Sequence, residues 1–136
     1  VVAVERVPWE VVQNYGVADA VKVEPGLHRI NKLVEKPPRE EAPSNLTIVG
    51  RYILPAEIFV CLERTPPGAK GEIQLTDGLS FLLESQTLYA YEFKGRRYDG
   101  GTPLGLLRAS LEFGLARADT RDAVAGIMRG LDSPAS

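Results

Sequence analysis

Two stretches of alternating apolar and polar residues, Val17 to Val23 and Leu27 to Lys36, flank the turn-forming Glu24-Pro25-Gly26. Strand-like runs on either side of such a turn predict an antiparallel hairpin. This hairpin constrains the fold more than any other segment. Pairing outward from the turn brings Gly16 beside the far end, Glu35-Lys36, whatever the rest of the chain does. The second strand closes on Leu33-Val34-Glu35-Lys36-Pro37, an apolar lead-in to a carboxylate, an ammonium and a proline that stops further pairing. Such an end can grip a ligand. Strand alternation, however, sends Glu35 and Lys36 to opposite faces unless the strand twists or ends between them. On these five residues alone a solvated ion pair is the plainer explanation.

The remaining chain supplies further strands and several helices. Val1 to Val7 reads as a buried strand ended by Pro8. Its apolar opening, with no preceding methionine, charge or turn residue, looks like a strand entered partway, so a fragment is expected. A bare edge there would be an aggregation liability. Trp9, Val11 and Val12 suit a short helical turn before Gly16, where a turn or a close backbone approach is expected. Pro37 to Pro43 reads as a surface loop and Leu46 to Leu54 as a strand. Pro55 fits the first position of a helix with Ile58, Phe59 and Leu62 on one face, ended by Thr65-Pro66-Pro67-Gly68. After the loop Ala69-Lys70-Gly71-Glu72, the spacing of Leu75, Leu79, Leu82 and Leu83 predicts an amphipathic helix. Leu88 to Phe93 predicts a strand buried on both faces. Thr102-Pro103 reads as the cap and first residue of a helix with the stripe Leu104, Leu107, Leu111 and Leu115. A last helix from about Arg121 carries Val124, Ile127, Met128 and Leu131, and Ser133 to Ser136 reads as a frayed tail. Strands with hairpin pairing early and helices later predict an α/β or α+β fold with a mixed, partly antiparallel sheet.

Composition narrows the chemistry. At 136 residues the chain has the size of one domain, with 117–136 as a C-terminal helix and tail, and it is long enough to bury a core. No apolar run approaches the about twenty residues of a membrane span, and no secretory leader pattern opens the chain. Cys61 is the only cysteine, which excludes an intrachain disulfide and makes a reducing, cytoplasmic setting the default. His28 is the only histidine, so a histidine-rich metal site is excluded. A net charge of −2 gives no electrostatic reason to expect nucleic acid.

Three places could do chemistry. Asp99, followed by Gly100-Gly101 and ahead of a helix, could offer oxygen to a hard cation such as Mg²⁺, although an Asp-Gly turn is the plainer explanation of the local sequence. A lone aspartate cannot hold the ion. Glu72-Ile73-Gln74-Leu75-Thr76-Asp77 places acidic and amide groups at the front of a helix, where charge near the positive helix end and capping explain them. The third place is Glu35-Lys36 with Gly16 opposite. None has nucleophile-and-base spacing or a phosphate-cradling glycine loop.

Taken together, Tyr15-Gly16-Val17, Leu33-Val34-Glu35-Lys36-Pro37, Pro43-Ser44-Asn45-Leu46, Ile48 to Leu54, Thr65-Pro66-Pro67-Gly68-Ala69, Gly71 to Asp77 and Tyr98-Asp99 resemble the bacterial UTP–glucose-1-phosphate uridylyltransferases. The resemblance covers Val1 to about Leu115 and looks like the C-terminal half of that enzyme, without the glycine-rich loop and first metal-binding aspartate of the N-terminal half. It implies the C-terminal portion of a Rossmann-like nucleotidyltransferase fold, a mixed sheet with a hairpin and flanking helices. It implies partners UTP and glucose 1-phosphate, Mg²⁺ as cofactor, and self-association into a homo-oligomer. Carried over by position, Lys36 would be the catalytic side chain that binds the sugar phosphate. Glu35 would accept hydrogen bonds from glucose hydroxyls, Gly16 would let its backbone contact the sugar, and Ile48 would lie against the ring. Asp99 would be the second metal-binding aspartate, with Gly100 standing where the family more often has a small polar or thiol residue. Such transfers work by positioning and charge neutralisation, so the absence of a nucleophile triad is no objection. The 136 residues alone are expected to be inactive. Another nucleotidyltransferase, using dTTP or a different sugar phosphate, and a non-catalytic sugar-phosphate-binding or oligomerisation domain remain as alternatives.

Overall fold

A computed structural model describes residues 1–68 and 71–132. Ala69, Lys70 and the tail Ser133 to Ser136 lie outside the described residues. Packing divides the chain into two compact units, Val1–Lys94 and Gly95–Ser136, each taken separately below.

The first unit is built on five strands, β1 (Val2–Arg6), β2 (Gly16–Glu24), β3 (Leu27–Glu35), β4 (Leu46–Tyr52) and β5 (Tyr89–Glu92). Helices α1 (Ile58–Arg64) and α2 (Leu75–Leu83) flank them, and short 3-10 turns occupy Trp9–Asn14 and Arg39–Glu41. The expected hairpin forms between β2 and β3, with Gly16 opposite Glu35. Gly26, at φ 79°, supplies the left-handed backbone its turn needs. The strands close into a ring in the order β1-β4-β2-β3-β5, joined by a parallel pairing of β1 with β5 while the other contacts are antiparallel. The sheet is therefore mixed, with helices alongside. β1 is paired on both sides, so the bare edge considered from sequence does not exist.

The core follows from which faces the strands and helices turn inward. Val2, Val4, Ala18, Ile30, Leu33, Leu46, Leu79, Leu82 and Ala90 form one buried apolar cluster with Ile48, Ile58, Cys61 and Leu88. Fully burying a side chain of this kind contributes roughly 1.5–3 kcal/mol. Three local expectations are corrected. Pro55 is not the first helical residue: its carbonyl accepts from Ile58 N at 3.2 Å in a turn ahead of α1. Phe59 is 69% exposed, because the inward face of α1 is Ile58 and Cys61, three residues apart, and Phe59 is turned away by a hundred degrees or so from Ile58. Likewise β5 buries one face only. Leu88 and Ala90 point inward while Tyr91 is exposed.

The second unit holds α3 (Pro103–Ala116) and α4 (Arg121–Asp132). Thr102 caps α3 as read from sequence, its Oγ1 accepting from Gly105 N at 3.1 Å, with Pro103 next. The Leu104 to Leu115 stripe is only partly sheltered within the unit: Leu104 and Leu107 are exposed, whereas Leu111 and Leu115 are half-buried. Two helices offer too little surface to cover a whole stripe. Glu112 gathers Arg96, Arg108 (Nε to Oε1 2.7 Å) and the Tyr98 hydroxyl (2.7 Å). Hydrogen bonds from Arg108 and then Tyr98 lower its carboxyl from 4.5 to about 2. A carboxylate held lower in the folded chain adds stability above its unfolded value and gives it up as pH falls through the folded one. We therefore expect the anchoring of α3 to weaken between pH 4.5 and about 2. A carbon-13 titration of the Glu112 carboxyl checks this, with Arg108→Ala shifting the midpoint upward.

Candidate functional site

Four parts of the first unit converge at the open end of the hairpin. Gly16 begins β2, Glu35 ends β3, Ile48 lies within β4, and Thr76 lies in the first turn of α2. A β-carbon placed on Gly16 would sit 3.1 Å from Glu35 Oε2, from Ile48 Cδ1 and from Thr76 Oγ1. Glycine is what lets all three approach the backbone there. Gly16→Ala must push three neighbours at once, and overpacking of this kind costs about 1–3 kcal/mol. Urea denaturation should show the loss, accompanied by a displaced Glu35.

Glu35 and Lys36 meet despite the alternation of the strand. β3 ends at Glu35, and Lys36 adopts φ 45°, the one non-glycine residue with positive φ among the described residues. A left-handed turn of the backbone at this point redirects the lysine side chain, and its Nζ lies 3.3 Å from Glu35 Oε1. Holding a β-carbon in that region costs about 1–2 kcal/mol, a cost glycine would avoid. Lys36 N donates to Tyr15 O at 3.1 Å, which ties the strained residue to the segment just before Gly16. The Lys36 side chain is 59% exposed and that of Glu35 23%, so the pair is open to a ligand. Exposed pairs of this type add little stability, about 0–1 kcal/mol.

The two side chains line a cavity of about 540 Å³ together with Lys32, Gly68, Gln74 and Asp77. That is within the range of about 300–1,000 Å³ usual for small-molecule sites. Asp77 occupies the first turn of α2, as its charge suggested, and also reaches this cavity. Gln74 stands at the cap position but makes no side-chain bond to the helix end, so the capping part of that expectation is corrected. Two further residues, Thr76 and Tyr52, join the site without a local signal of their own. Thr76 Oγ1 donates to Glu35 Oε2 at 2.7 Å. Burial, and then the charge of Glu35, push the Tyr52 hydroxyl above its ordinary value. Contacts that join residues 41 positions apart leave no local pattern, although the Gly71 to Asp77 block did contain Thr76.

Asp99 belongs to the second unit. It is exposed, its Oδ1 accepts from Gly101 N at 2.9 Å, and it borders a cavity of about 310 Å³ with Arg96, Arg97, Tyr98, Gly105 and Arg108. The hydrogen bond is that of the Asp-Gly turn considered from sequence. Its free oxygen is a hard donor of the type Mg²⁺ accepts, and that ion is commonly held by one or two carboxylates plus substrate phosphates. Among the described residues no group of three or more His, Cys, Asp or Glu side chains could hold a metal. Nor is any helix among them long and apolar enough to cross a membrane.

This mixed sheet with flanking helices belongs to a known class: residues 1–115 match the Nucleotidyl transferase family, and the chain belongs to it. The UTP–glucose-1-phosphate uridylyltransferase of Bacillus subtilis (strain 168) is 44% identical over 131 residues, covering 96% of this chain and 45% of that protein. A crystal structure of UDP-glucose pyrophosphorylase complexed with UDP-glucose is similar with a TM-score of 0.81 and 45% identity, over 85% of this chain and 44% of that one. A UTP-bound UGPase from Acinetobacter baumannii gives 0.84 and 39% identity, over 96% of this chain and 45% of that one. The chain thus spans about 45% of the length of the curated relative and somewhat less than half of each solved neighbour.

Proposed function

We propose that a protein carrying this chain transfers a uridylyl group from UTP to glucose 1-phosphate, and that residues 1–136 form the sugar-phosphate-binding C-terminal part of it. An oxygen of the sugar phosphate attacks the α-phosphorus of UTP. One oxygen–phosphorus bond forms, the α–β bridge breaks, and pyrophosphate leaves with the bonding pair. In this reading Lys36 neutralises the sugar phosphate and holds it, Glu35 accepts hydrogen bonds from glucose hydroxyls, Gly16 lets the backbone come close, and Ile48 borders the ring. Asp99 would contribute one oxygen to Mg²⁺, which when bound offsets charge on the phosphates.

One observation carries the proposal. Lys36 occupies a backbone conformation that favours glycine, and by doing so it brings an ammonium to the same cavity as Glu35. Strain kept at a residue that could have been glycine points to a use for its side chain. The names of the relatives favour UTP and glucose 1-phosphate among the possible substrates.

The test compares two proteins. The product of the complete reading frame encoding this chain, given UTP, glucose 1-phosphate and Mg²⁺, should release pyrophosphate and form UDP-glucose. The 136 residues alone should not. Formation of UDP-glucose by the isolated chain would overturn the assignment of this part to the sugar side alone. A strong preference of the whole product for dTTP would move the activity to a thymidylyltransferase.

A further inference from the structure

We infer that Thr76 is a positioning residue for sugar recognition: its hydroxyl fixes the Glu35 carboxylate so that one oxygen is committed to α2 and the other stands beside Lys36. This inference rests on the sugar-phosphate reading above. Thr76 is 5% exposed and donates to Glu35 Oε2 at 2.7 Å, while Glu35 Oε1 lies 3.3 Å from Lys36 Nζ. A carboxylate has about four acceptor directions, so two remain for a ligand.

The placement of Thr76 in the first turn leaves its hydroxyl available. Within a helix the hydroxyl commonly turns back to the carbonyl four residues earlier. Thr76 is the second residue of α2, and four positions back lies Glu72, outside the helix, whose carbonyl accepts from Gly68 N at 2.8 Å. The hydroxyl instead crosses to β3. Gly16 permits the meeting, since a β-carbon there would crowd both Thr76 Oγ1 and Glu35 Oε2. Without the bond a glutamate side chain regains rotamer freedom, and a ligand must order it again.

The experiment is a thermodynamic cycle in the product of the complete reading frame, with UDP-glucose as probe, calorimetric Kd as readout and melting temperature alongside. Thr76→Val keeps the shape and removes the donor, and affinity should fall by about tenfold, the scale of one hydrogen bond to a charged group. Thr76→Ser restores the donor and should bind within about twofold of the unaltered protein. In a Glu35→Ala background Thr76→Val should cause almost no further loss, because its effect passes through the carboxylate. Thr76→Ala carries the same expectations if the valine variant does not fold. Unchanged affinity in Thr76→Val, or an equal loss with and without Glu35, overturns the positioning role. Failure of the unaltered protein to bind UDP-glucose overturns the sugar-phosphate reading itself.

Discussion

Lys36→Ala should raise the glucose 1-phosphate requirement of the complete protein by about 10- to 100-fold at saturating UTP, the loss of one charge-assisted contact to phosphate. The fold should hardly notice. Alanine keeps the β-carbon and hence the backbone strain at φ 45°, and the exposed pair with Glu35 contributes little stability. A companion variant separates strain from function. Lys36→Gly relieves the left-handed conformation and should melt higher than Lys36→Ala by about 1 kcal/mol of stability, with an equal loss of sugar-phosphate binding. If Lys36→Ala left the affinity unchanged, binding through this strand end would be untenable.

Among these variants the largest loss of stability should come from Leu79→Ala. Leu79 is fully buried in α2 against the strand core, and truncation there costs about 2–5 kcal/mol through lost burial and the remaining cavity. For a unit of this size the melting temperature should fall by more than about 10 °C. The consequence reaches the site, because α2 also carries Thr76 three residues earlier. Loosening of the helix should weaken sugar binding as well as the fold. Differential scanning calorimetry and a binding isotherm on the same sample measure both.

Local patterns foretold the elements whose causes are local. The β2–β3 hairpin was legible because its turn residues and alternation lie within twenty or so positions, and its register placed Gly16 opposite Glu35. The cap of α3 was legible in Thr102-Pro103 alone. What escaped were long-range facts. The parallel pairing of β1 with β5 joins residues nearly ninety positions apart, Val2 with Ala90, and nothing local specifies it. The turn of Lys36 into left-handed backbone was not foreseeable, since the residue that usually signals it is glycine. Periodicity also overstated burial at Phe59, Tyr91, Leu104 and Leu107, because an apolar stripe shows what could be covered and not what covers it.

In the proposed reaction a lysine turned aside at the end of a strand takes the sugar phosphate while its neighbouring carboxylate takes the sugar. A crystal structure of the product of the complete reading frame with UDP-glucose should show the sugar-side phosphate within about 3 Å of Lys36 Nζ and a glucose hydroxyl on Glu35. A UDP-glucose molecule bound elsewhere, with Lys36 reaching only water and Glu35, would contradict it.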